Sequence, residues 1–409
     1  MRSSPVSRGV LLAALAALAG ACGARPLHHE TDANGGAGGI GLAGTGGPAG
    51  LAGAGGADGL TGAGGGTFTP ARKVDMLFVV DDSSETLRLQ KNLLNNFPVF
   101  LTTLRGLSGT PPDMHIAVVS SDLGAGDGSI GHCDATGGDQ GIFQHTARGT
   151  CTSTGLAAGA TYIADNGAVS NYTGNLADVF ACIAALGENG CGFEHQLAAI
   201  TRALGADGMP PPEENQGFLR PDAFLFIMVV TNEDDCSAPP SGGFYDTTMN
   251  SNLASPLGPL GSYRCNEFGH LCNGVKPPRL APNGSVGDTV TLTGCTSAEQ
   301  AGMLTPVADI TRQLRALKRF PDQQIVVAAV AGPLTPYTVK WHQPQTADTG
   351  PWPEMTHSCT ASDLSWADPA VRVSQWVSGF GANGLFLSAC DESFGPALDR
   401  LAQLLSQAP

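Results

Sequence analysis

The chain has 409 residues, and its 36 Asp and Glu against 21 Lys and Arg leave a net charge of −15. That balance argues against a nucleic-acid partner, because phosphate binding rests on clustered Lys and Arg that release counterions. The length allows one large domain or two ordinary ones, and an acidic surface favours cations over anions.

Arg2 and Arg8 precede an apolar run from Val10 to Leu18, followed by Ala19-Gly20-Ala21-Cys22. A positive start, a short apolar core and small residues make residues 1–21 a secretory signal peptide, too short to span a bilayer. Two processing routes fit: an ordinary small-x-small cut, and a lipobox-like site at which Cys22 is acylated. The second is favoured, since a cysteine at that position is rare by chance. Several acyl chains bury enough methylenes to anchor a protein in the membrane. Gly23 offers no acidic inner-membrane retention signal, so an outer-membrane lipoprotein facing the periplasm or the cell surface is expected. From Gly23 to Gly66 the chain is Gly and Ala with almost no charge. Such a segment cannot bury enough apolar surface to offset ordering entropy, so residues 22–70 are expected to be a flexible tether behind the lipidated cysteine.

The pattern changes beyond Pro70, and residues 71–406 are expected to form one folded domain. Val74 to Val80 is a short apolar run, read as a strand buried on both faces. A helix follows with Leu87, Leu94, Phe97, Leu101 and Leu104 at turn spacing, kinked or split at Pro98. His115–Ser121, Ala223–Thr231, Gln324–Ala331 and Leu385–Ser388 read as further strands. Leu176–Leu186, Glu194–Leu204, Thr296–Arg319 with a break at Pro306, Pro369–Ser378 capped by Asp368, and Phe394–Leu405 read as helices. Apolar strands alternating with helices predict an α/β fold: a doubly wound, mostly parallel sheet with helices on both faces. Segments near 123–175, 234–295 and 332–367 are too long and polar for simple connections, and are read as insertions into that one domain.

Removing Cys22 from the eleven cysteines leaves Cys133, Cys151, Cys182, Cys191, Cys236, Cys265, Cys272, Cys295, Cys359 and Cys390. An even set in an exported chain reads as a disulfide framework that staples the insertions. The competing reading, a zinc site, lacks a CxxC pair or a Cys/His cluster at metal spacing. Sequence does not fix connectivity; short loops suggest Cys133–Cys151, Cys182–Cys191 and Cys265–Cys272, with Cys359–Cys390 and Cys236–Cys295 completing the set.

Ligands of open parallel sheets bind outside the carboxyl ends of the strands. Asp81-Asp82-Ser83-Ser84-Glu85 follows the first strand, Asn232-Glu233-Asp234-Asp235 follows the strand ending at Thr231, and Glu194-His195 opens a helix. Oxygen-only side chains converging at one edge are what Ca2+ or Mg2+ requires. The run from Val74 through Glu85 resembles the first strand and metal loop of von Willebrand factor A domains, with their D-x-S-x-S motif. Phe224 to Asn232 is similar to that family's later strand, which ends in T-D-G. The resemblance implies a Mg2+ site built from loop Asp and Ser side chains, a Thr and a further Asp, at which a partner's carboxylate completes the coordination. Carried over, Asp81 and Ser83 match, Glu85 takes the second Ser position, Glu194 stands nearest the Thr position, and Asn232 takes the last Asp position with Asp234 close by. Carboxylates in place of hydroxyls neutralise the ion and favour Ca2+, which makes a structural ion, or partner binding without metal, the expectation. The bland alternative is that Asp82 or Ser83 caps the first helix and Asn232–Asp235 forms a turn.

The expected function is thus an envelope-anchored adhesion or binding module for an unknown protein or glycan, without enzymatic turnover. G-x-S-x-G, H-E-x-x-H and the phosphate-binding loop are absent from the sequence. Gly126 to Gly131 matches G-x-G-x-x-G but runs into His132 and Cys133 with no apolar helix, so it is read as a loop. Two alternatives are a passive envelope scaffold without metal and a hydrolase using Asp81, Glu194 and His195.

Overall fold

A computed structural model describes residues 73–403 apart from 107–111, 126–129, 131, 134–136, 240–242, 246–251, 345–347, 392, 396–398, 400 and 401. The expected signal peptide, Cys22 and the expected tether lie outside the described residues, as do most of Gly126–Gly131 and much of Phe394–Leu405.

Six strands make the central sheet: β1 Lys73–Val80, β2 Asp113–Ser120, β3 Ile163–Asp165, β4 Phe224–Val230, β5 Ile325–Ala331 and β6 Gly384–Ser388. Their order is β6-β5-β4-β1-β2-β3, parallel throughout except for the antiparallel edge pair β2–β3. β3 lies inside the first insertion, where its three residues gave no periodic signal. The chain begins at the centre and winds outward in both directions, so the expected doubly wound α/β architecture is what forms.

Side-chain alternation explains why these strands are apolar throughout. Met76, Phe78 and Val80 join one core with α1 (Leu87–Gly106) and α2 (Leu176–Ala184). Leu77 and Val79 join the other with α3 (Gln196–Leu204), α5 (Val307–Arg315) and α6 (Val371–Ser378). In the first core Phe97 stacks on Phe180 with ring centroids 3.7 Å apart, and Phe78 meets Phe180 and Phe226 edge-on. α1 is not split at Pro98 and runs unbroken for 20 residues. A proline forfeits one helical hydrogen bond, and burial of Phe97, Phe100 and Leu101 on either side of it holds the helix together.

The insertions are structured and interlocked. Thr289–Leu292, from the second, pairs antiparallel with Tyr337–His342 of the third, which also pairs with Trp352–Met355. Helix α4 (Tyr263–Gly269) lies in the second insertion as well. Thr296–Arg319 is not one interrupted helix: Cys295–Ser297 is a strand paired with His270–Cys272, and only Val307–Arg315 is α-helical. Among the described residues no helix is long and apolar enough to cross a membrane.

All ten cysteines are bridged, as Cys133–Cys191, Cys151–Cys182, Cys236–Cys265, Cys272–Cys295 and Cys359–Cys390. None of the three short-loop pairings forms, and of the two that completed the set only Cys359–Cys390 does. Spatial neighbours decide the rest: antiparallel pairing sets Cys272 opposite Cys295, while Cys133, Cys191, Cys236 and Cys265 share one buried cluster.

One close approach at the rim is testable. Gly332 follows β5, and a Cβ there would lie 1.9 Å from the Asp368 carbonyl oxygen. Gly332→Ala is expected to cost about 1–3 kcal/mol through forced backbone displacement, read from the urea midpoint at unchanged slope.

Candidate cation site at the carboxyl edge of the sheet

β1 and β4 are parallel neighbours with Val80 opposite Val230, so the residues that follow them emerge side by side. The Asp81 N–H donates to the Val230 carbonyl at 3.0 Å and extends the ladder by one residue. The Asp81 carboxylate is then held from three directions. The Thr231 hydroxyl donates to Oδ2 at 2.6 Å, the Ser83 N–H to Oδ1 at 2.9 Å, and the Ser121 hydroxyl, just past β2, to Oδ1 at 3.4 Å. Gln196, at the start of α3, donates to Thr231 Oγ1 at 2.8 Å. The Asn232 amide donates to the Ser84 carbonyl at 3.3 Å and ties the two loops together.

Glu194 is 2% exposed at the same rim. Burial lifts its carboxyl well above the usual range, and the charges of Glu233 and Asp81 lift it further. Burial also raises Asp81 against the hydrogen bonds from Thr231 and Ser83. Asp82 is pushed up to about 8 by burial first, then by Asp81, Asp122 and Asp139. Glu233 is pushed up to about 8 by burial and by Asp368.

Of the six expected ligands, the fold gathers Asp81, Ser83, Glu194 and Asn232. Glu85 is exposed, on left-handed backbone at φ 67°. Asp234 is directed elsewhere: its carboxylate accepts the N–H groups of Arg372 and Val373 at the start of α6 and touches His270 Nε2 at 2.8 Å. It therefore caps α6, the role expected of Asp368, whose own carboxylate pairs with His357. Asp235 takes the Leu197 N–H of α3 and the Arg372 guanidinium. Thr231, Ser121 and Gln196 were missed; Thr231 reads in the sequence as the last residue of a strand, although its hydroxyl is the shortest contact to Asp81.

The group fits a cation through its orphaned oxygens. Ser83 Oγ, Glu194 Oε1, Asn232 Oδ1 and Asp82 Oδ1 are buried without a hydrogen-bond partner. An unsatisfied buried polar group costs about 1–3 kcal/mol, so several at one rim ask for a counterpart. Among the described residues no three His, Cys, Asp or Glu come together to hold an ion by themselves. A cation here needs the hydroxyl and amide oxygens too, a mixed set that the loose geometry of Ca2+ accepts more readily than the strict octahedron of Mg2+. His195 is buried, its Nδ1 has no partner, and burial drives its imidazole down to about 4.

No protein-family model matches the chain, and no curated protein matches it. Solved structures with some likeness include the pilus adhesin SpaC of Lactobacillus rhamnosus GG, at 10% identity and TM-score 0.34, over 82% of this chain and 31% of that one. The conserved hypothetical protein BatB of Bacteroides thetaiotaomicron has 9% identity and TM-score 0.28, over 83% and 98% of the respective chains. The adhesive tip pilin GBS104 of Group B Streptococcus agalactiae has 10% identity and TM-score 0.29, over 81% and 98%. The chain thus spans under a third of the SpaC structure. The α/β architecture stands on the sheet itself.

Proposed function

We propose that this chain is a binding module of von Willebrand factor A type, held at the cell envelope by lipid on Cys22, with Ca2+ seated at the carboxyl edge of its sheet. The observation that carries the proposal is the convergence of Asp81, Ser83, Glu194 and Asn232, three of them with an orphaned buried oxygen. A bound cation supplies positive charge to a rim crowded with carboxylates. With Glu194 beside Asp81, protein charge already neutralises the ion, so it fixes the loops that meet a protein or glycan ligand instead of capturing an acidic one. The module binds without turnover. Five disulfides suit an oxidising compartment outside the cytoplasm and support export.

Calorimetric titration of the metal-free protein is the test. Ca2+ is expected to bind more tightly than Mg2+, and Asp81→Asn to weaken it at least about tenfold, the equivalent of one lost charged ligand worth roughly 1.4 kcal/mol. Tight Mg2+ binding that strengthens capture of an acidic peptide would overturn the reading.

A further inference from the structure

A cleft of about 500 Å3 opens near the rim, between residues 259–267, the Trp352–Met355 strand and the pairing of Cys359–Thr360 with Trp366–Ala367. Its wall carries Glu233, Glu267, Glu354 and Asp368 together with the indoles of Trp352 and Trp366. Glu267 is neutralised by the Arg279 guanidinium at 2.7 Å. The other three have no Arg or Lys partner among the described residues: Asp368 and Glu354 pair with the imidazoles of His357 and His342, and Glu233 forms no ion pair. Among the described residues no lysine lines the cleft, and Arg264 on its wall donates to the backbone oxygens of Phe244 and Gly258. The Trp352 N–H donates to Asp348 at 2.7 Å, which fixes that indole, and His357 stacks on Trp366 with ring centroids 3.9 Å apart.

We propose that this cleft binds the cationic end of a lysine or arginine side chain on a partner protein. Glu354 and Asp368, whose basic neighbours are imidazoles and not Lys or Arg, supply the charge, and an indole face attracts a cation while covering the aliphatic stem behind it. An anionic ligand would meet the same carboxylates as repulsion. A neutral sugar would use the indole faces and leave the acids uncompensated. The proposal does not rest on the rim cation, and its test separates the two.

N-acetyl-lysine and N-acetyl-arginine methylamides are titrated into the full chain, alongside the norleucine analogue, spermidine and maltohexaose. The lysine or arginine probe is expected to bind at least about tenfold more tightly than norleucine, a difference of roughly 1.4 kcal/mol. Glu354→Gln and Trp352→Leu are each expected to weaken it roughly threefold to tenfold, with the far-ultraviolet circular dichroism and the slope of urea unfolding unchanged. In EDTA the preference over norleucine persists. Equal binding of norleucine, a preference for spermidine or maltohexaose, wild-type affinity in both variants, or loss of that preference on chelation overturns the proposal.

Discussion

The metal-free protein is expected to melt at a lower temperature at pH 8 than at pH 5, and calcium is expected to recover much of the difference. Asp82 and Glu233 are each held at about 8 in the fold, against ordinary values of 3.8 and 4.5. Between those limits the folded state keeps protons that the unfolded chain has released, so stability falls as pH rises. The contribution of both groups is intact below about pH 4 and lost as the pH passes through about 8. A cation at the rim opposes this loss, because it stabilises the charged carboxylates that burial and mutual repulsion disfavour. At a hundredfold excess over its dissociation constant it adds about 2.7 kcal/mol, which for a domain of this size is a shift of roughly 5 °C. Thermal melts at the two pH values, with EDTA and with calcium, measure both effects. Melting temperatures that ignore pH and calcium alike would mean that the rim acids are satisfied within the protein.

The part of this site that was legible in the sequence is the part set by strand direction. Asp81 and Asn232 each follow an apolar run, and parallel neighbours must deliver their ends to one edge. The sheet was legible for a related reason: with helices on both faces, alternation leaves no polar positions, and β1, β4 and β5 stand out as continuous apolar runs. What stayed hidden depends on which way one side chain turns. Asn232, Glu233, Asp234 and Asp235 look alike in sequence, yet Asn232 ties the rim, Glu233 lines the cleft, Asp234 caps α6 and Asp235 caps α3. The disulfide partners were hidden because the insertions pack on one another. Cysteine spacing records the length of a loop and not where its ends settle.

The largest loss of stability is expected from Arg372→Met, at roughly 3–5 kcal/mol. Arg372 and Asp235 are each 1% exposed, and the guanidinium meets the Asp235 carboxylate at 2.9 and 3.1 Å. It also donates to the Ser297 hydroxyl at 3.2 Å and the Thr305 carbonyl at 2.7 Å, so one side chain joins α6, the loop after β4, the end of the second insertion and the approach to α5. Removing it strands a carboxylate where water does not reach. Asp235→Asn strands the guanidinium instead, and weakens the cap on α3. Removing both charges strands neither, so the double variant is expected to fall short of the summed single losses by about 1–3 kcal/mol. Urea denaturation at unchanged slope measures all three. Strict additivity would assign the cost to the Ser297 and Thr305 contacts alone. The same curves test whether the insertions are part of the folding unit. Because Arg372 and Asp235 bind them to the sheet edge, the wild-type chain should unfold in one transition, and an early separate melting of the insertions would show that this ion pair does not couple them to the sheet.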